Sequence, residues 1–152
     1  MTQNVIISLT GTQLCDGTQD KVEMLSCAVM RQMGNITEIS YDEPEENGFE
    51  QSRTVIRAVG TDSVSIERTG KYATHLFLEK GRRRLSHYDM TFGGMTMGVS
   101  THSIRNSLSP AGGSLQADYT LEMNHSLVSN NRFLLKIVEV KNDNEKSEKL
   151  SQ

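Results

Sequence analysis

Tryptophan does not occur in this 152-residue chain, and phenylalanine and tyrosine supply four residues each. An interior so poor in rings must be filled by aliphatic side chains, with eight methionines as flexible gap-fillers. Cysteine is confined to Cys15 and Cys27. Two thiols exclude a disulfide-built scaffold, and the lack of CxxC or HxxxH spacing excludes a recognisable metal ligand set. No metal and no cofactor is expected. Cys27, if it lies on a strand, is expected to be a buried, inert thiol. No stretch approaches the roughly 18 apolar residues of a membrane-crossing helix. The opening residues MTQNVIISLTGTQ have neither the basic region nor the apolar core of a secretory signal. A cytoplasmic protein with no membrane partner is the expectation. Acidic residues outnumber basic ones, 19 to 16. The resulting net charge of −3 argues against nucleic acid as a partner, because phosphates call for a net basic surface.

Glycine, by contrast, is frequent and regularly placed. Gly34, Gly48, Gly60, Gly70, Gly81 and Gly93 follow one another at intervals of 10 to 14 residues, and Gly112 comes later. Turn signals about 8–12 residues apart point to a sandwich or barrel of successive hairpins. Between them, apolar and polar residues alternate. Val5, Ile7 and Leu9 share one face of a first strand. Arg53, Val55, Arg57 and Val59 share a face of another, with Ser52, Thr54, Ile56 and Ala58 on the reverse. Val64, Ile66 and Arg68 share a third face, and Met95, Met97 and Val99 a fourth. Leu115, Ala117, Tyr119, Leu121 and Met123 give the cleanest strand, and Phe133 to Val140 closes the set. Alternation of this kind marks half-buried antiparallel strands, nine or ten of them here. The expected fold is all-β, an antiparallel closed or nearly closed barrel over residues 1–140, with residues 141–152 as a charged, solvated tail.

One segment reads two ways. Val22, Leu25, Val29 and Met33 fall at helical spacing, with Asp20 as an N-cap and Gly34 as a C-cap. The local pattern therefore favours a helix.

The order of four motifs settles that segment differently. ISYDE at 39–43, VSIERTG at 64–70, HYDMTFGGMTMGVST at 87–101 and GGSLQADYTLEM at 112–123 together resemble the YwiB-like family of small bacterial proteins of unknown function. The resemblance runs from about Val5 to Val140. It implies a lipocalin-like, calycin-type barrel, and it implies that Val22–Met33 is a strand. A glycine is expected where this chain has Ala28. No activity and no functional residue comes with the family.

A barrel of this size holds side chains or one small ligand. Charge on otherwise apolar strand faces singles out Arg57, Arg68 and His87 as donors to a small, anionic or amphipathic ligand, with Tyr119 offering a phenolic edge. The plainer reading sets Arg53, Arg57 and Arg68 outside, paired with cross-strand acids. Glu38, Glu43, Asp89 and Asp118 are the carboxylates on offer. A non-enzymatic binding module is the leading expectation. An interaction domain or homodimer acting through strand edges, with Val5–Leu9 and Phe133–Val140 as edges or closure strands, is the second. An acid–base enzyme using His87 and Asp89 is the third, since GxSxG, HExxH and phosphate-binding loop motifs are all missing. Lys80 to Arg84 is read as a charged turn, and Gly93-Gly94 as turn glycines.

Overall fold

The computed structural model describes residues 2–43, 52–70, 73–90, 93–123 and 126–141, without the side chains of 87–90 and 93–95. Ten strands follow one another: β1 (Thr2–Cys15), β2 (Thr18–Met33), β3 (Ile36–Asp42), β4 (Arg53–Val59), β5 (Ser63–Thr69), β6 (Thr74–Glu79), β7 (Arg83–Met90), β8 (Gly93–Asn106), β9 (Ser114–Met123) and β10 (Ser126–Lys141). Each pairs antiparallel with its predecessor. β10 returns to pair with β1, from Asn4↔Lys141 to Leu14↔Asn130, and the sheet closes into a barrel. The first and last strands are thus closure strands.

Alternation decides what faces in. Val5, Ile7 and Leu9, then Ile39, Ile56, Ala58, Val64, Leu78, Val99, Leu115, Ala117 and Leu135 form one buried cluster. β4 has hydrophobes on both faces, and Ile56 and Ala58 win the interior at 1% and 0% exposure. Arg53 and Arg57 are carried outward as a result. On β5, Arg68 follows Val64 and Ile66 inward.

The helical stripe of Val22–Met33 does not form a helix. Every residue of β1 from Thr2 to Cys15 faces a residue of β2, and the tight turn at Asp16 and Gly17 has positive φ at both positions. Such a turn matches the twist of a hairpin. A helix here would have no layer to cover, whereas the strand buries Ala28 and Met30. The pairing passes Ala28 without a register shift, so that position needs no glycine. Cys27 lies on the outward side and is exposed, contrary to the buried thiol expected, because its neighbour Ala28 takes the inward direction. Gly93 and Gly94 also differ from expectation, since they open β8 opposite Met90 and Asp89.

The wall is uneven. β6 and β7 share two rungs among the described residues, Thr74↔Tyr88 and His75↔His87. Beyond them the Phe77 N–H donates to the Ser86 hydroxyl at 3.2 Å instead of to a backbone carbonyl. The arginines at and just after the turn between β6 and β7 face carboxylates: Arg82 and Arg84 meet Glu79 at 3.4 and 3.0 Å, and Arg83 meets Glu122 at 3.4 Å. Arg84 also caps the Phe77 ring at 5.4 Å. At the β8–β9 turn, Gly113 has φ +103°, and a Cβ there would lie 2.1 Å from the Ser107 carbonyl oxygen.

Candidate functional site

Two polar places stand out, one inside the barrel and one at its wall. The first is on the inner face of β3, β4 and β5. Tyr41, Glu43, Thr54 and Arg68 all carry the inward parity of their strands. Glu43 Oε1 accepts from Thr54 Oγ1 at 2.7 Å and from Arg68 at 3.2 Å. The Glu43 side chain is 2% exposed and that of Arg68 is 23% exposed. Burial, seconded by the Glu43 charge, pushes the Tyr41 hydroxyl well above its ordinary pKa; a hydrogen bond with Thr54 and the charge of Arg68 only partly offset this. Tyr41 therefore stays a neutral phenol. An arginine inside a barrel needs a carboxylate at hand, and the chain supplies one two residues after Tyr41.

The second is a cleft of about 400 Å³ walled by the hairpin of β1 and β2 and by β8, β9 and β10. Its lining includes Tyr119, His102, Gln19, Asn130 and Asn131. Tyr119 is there because it follows Leu115 and Ala117 on the inward face of β9, where it is partly buried and packs against the core. His102 is there because β8 bulges. Thr101 faces Tyr119 and Ser103 faces Asp118, which leaves His102 as the extra residue. Bulges re-aim side chains in this way beside many binding sites.

The rim of the cleft is held by an ion pair. Arg132 Nε donates to Asp118 Oδ1 at 2.7 Å, and Ser103 Oγ donates to Oδ2 at 2.9 Å. Partial burial works to raise the Asp118 pKa, but the hydrogen bonds from Arg132 and Ser103, the Arg132 charge and a contact from Gln116 outweigh it and hold the carboxyl below its usual range. A group with a depressed folded pKa stabilises the protein above its unfolded pKa, and that stability is lost as pH falls through the folded value. Asp118→Asn is thus expected to flatten the acid limb of the stability profile below about pH 4. Urea midpoints of both proteins across that range check it; equal slopes refute the pair's role.

The four residues singled out from sequence do not form one set. Arg57 stands on the outer wall and binds Glu38 at 2.5 Å, which takes it out of the lumen. Arg68 is inside, on Glu43. Tyr119 lines the cleft. The backbone of His87 pairs with His75 and Thr96, while its side chain and that of Asp89 lie outside the described residues. Of the four carboxylates proposed to answer arginines, Glu38, Glu43 and Asp118 do so. His102 was not visible as a site residue. Its one signal is a phase slip: Met97, Val99 and Thr101 alternate, and the next buried residue is Ile104. Among the described residues, no group of three or more His, Cys, Asp or Glu is placed to hold a metal ion.

Ten antiparallel strands closed on themselves, with a polar cleft at the rim, define a small all-β barrel domain. The family described as a domain of unknown function, DUF1934, matches residues 7–135, and the chain belongs to that family. Among solved structures the chain is similar to the ywiB protein from Bacillus subtilis, with a TM-score of 0.75 and 18% sequence identity over 90% of this chain and 92% of that one. At that identity the likeness concerns the fold, and it agrees with the resemblance carried by the ordered motifs. No curated protein matches the chain.

Proposed function

We propose that this protein is a cytoplasmic, non-enzymatic binding module that holds a small polar ligand at the rim of the barrel, against Tyr119. The cleft carries the reading. Its volume of about 400 Å³ lies in the range of small-molecule sites, roughly 300–1,000 Å³. It offers one aromatic ring and several amide and imidazole groups that can both donate and accept. Arg132 is engaged by Asp118, so the two charges largely cancel and neutral hydrogen-bonding groups are left to select the ligand.

A thermal-shift screen of nucleotides, fatty acids and small metabolites tests the proposal. At least one compound should raise the melting temperature of the wild type. The same compound should fail to raise that of Tyr119→Ala or Asn131→Ala, both of which should still unfold cooperatively. A screen without any stabilising compound, or a shift that survives both substitutions, removes the proposal.

A further inference from the structure

Most of the cleft at the wall is built from outward residues. Thr12 and Arg132 share one rung of the β1–β10 ladder, and Leu14 and Asn130 share the next but one. Asp118 faces Arg132 from β9. These positions have the parity opposite to that of the buried Leu9, Leu135 and Leu115, so their side chains leave the barrel. Leu14, Asn130, Arg132 and Asp118 are thus outward neighbours across three strands, close enough for one small molecule to touch them all.

Their hydrogen-bonding capacity is only partly used. Asp118 Oδ1 accepts from Arg132 Nε, and Oδ2 accepts from Ser103 at 2.9 Å and from Gln116 at 3.4 Å. Each carboxylate oxygen has two lone pairs, so Oδ1 can take one more donor. Arg132 commits Nε to this pair, and its terminal N–H groups remain. The side chains of Gln19, His102 and Asn130 line the cleft and hold no hydrogen bond among the described residues. An open acceptor beside open donors, next to an amide that does both, matches hydroxyl groups, which also donate and accept. Adjacent hydroxyls on a sugar ring present that pattern. Leu14, 44% exposed, supplies the apolar contact suited to the C–H face of such a ring.

Other chemistries fit less well. A carboxylate or phosphate at Arg132 would lie beside the Asp118 charge, and an amine at Asp118 beside the Arg132 charge; a neutral ligand meets neither repulsion. A fatty chain needs a deep apolar slot, whereas the core beneath is filled, with Leu115, Ala117 and Leu135 at 0% exposure. Tyr119 has inward parity and packs against the core, which leaves the cleft its phenolic edge and no face for stacking a nucleobase.

We propose that the ligand of this cleft is a neutral saccharide. One pyranose ring lies on Leu14, with adjacent hydroxyls bridging Asp118 Oδ1 and Arg132 and another on the Asn130 amide. This rests on the binding-module reading and adds the chemical class of the ligand.

Saturation-transfer and chemical-shift NMR titrations to millimolar ligand test it. The saccharide probes are the methyl glycosides of glucose, galactose, mannose and N-acetylglucosamine, with maltose, cellobiose and lactose. AMP, glutamate, lysine and decanoate represent the other classes. At least one saccharide should bind the wild type and shift the backbone amides of Asn130 and Arg132. Arg132→Ala should weaken it about tenfold or more and Asn130→Ala about threefold or more, the usual effects of losing a charged and a neutral hydrogen bond. Both side chains are exposed, so both variants should still unfold cooperatively. One monodeoxy analogue of that sugar should bind the wild type about tenfold more weakly than its parent, yet bind Arg132→Ala as well as the parent does. A merely structural role of Arg132 would not produce that coupling. If AMP, an amino acid or decanoate binds in the cleft and no saccharide does, the saccharide assignment is overturned and the binding module stands. Saccharide affinity that both variants retain overturns the assignment too, as does a deoxy series that loses the same factor on both proteins. Silence of every compound removes the assignment and the module together.

Discussion

Replacing Glu43 with alanine is expected to destabilise the barrel by about 3 kcal/mol, the lower part of the range for breaking a buried ion pair. The reason lies in who loses a partner. Glu43 is 2% exposed and answers both Thr54 and Arg68. Without it the Arg68 guanidinium loses its described carboxylate inside the wall, and a buried hydroxyl loses its acceptor. The estimate is kept low because 23% of the Arg68 side chain still reaches solvent. Replacing both Glu43 and Arg68 with methionine should recover most of the loss, because no charge is then left inside. Urea unfolding of Glu43→Met, Arg68→Met and the double methionine variant gives the coupling directly. A double variant as unstable as Glu43→Ala would show that the cluster acts through shape and not through charge.

Leu115→Ala should cost about 2–5 kcal/mol, the ordinary toll of emptying a fully buried leucine site. Leu115 is 0% exposed and pairs with Leu135, also 0% exposed, across the β9–β10 ladder. The ring of strands around it limits how far the site can collapse, which favours the upper part of the range. Leu25→Ala on the rim of β2 is the matched control. At 66% exposure it should change stability by less than about 0.5 kcal/mol. Melting and urea curves on dilute protein separate the two, and comparable losses would refute the assignment of inner and outer faces.

The amino-acid pattern was a good guide where only one face of a strand was apolar. The buried residues of β1, and those of β9 as far as Ala117, follow their alternation. It failed to choose a face on β4, where Val55 and Val59 compete with Ile56 and Ala58, and so it could not tell that Arg57 points out while Arg68 points in. That choice depends on which residues the neighbouring strands present, which is a property of the closed sheet. On β2 the helical stripe hid the Asp16-Gly17 turn, itself a strong hairpin signal. The sequence offers the arginine partners only as a pool of carboxylates, and register sorts them, as when Glu38 falls opposite Arg57. His102 owes its position to a one-residue slip whose cause is the pairing of Thr101 and Ser103 with adjacent residues of β9.

The two rungs between β6 and β7 have a consequence for how the molecule comes apart. The first and last strands, β1 and β10, are knitted to each other from Asn4↔Lys141 to Leu14↔Asn130, so fraying of either strand works against a well-sewn part of the wall. The thinnest stitching falls mid-chain, at the Lys80–Arg82 turn. Unzipping there turns the cylinder into a single curled ribbon of ten described strands with β1 and β10 locked together at its middle. A circularly permuted chain cut at that turn would keep every ladder between named strands and give up the turn's own bond and its contacts with Thr101.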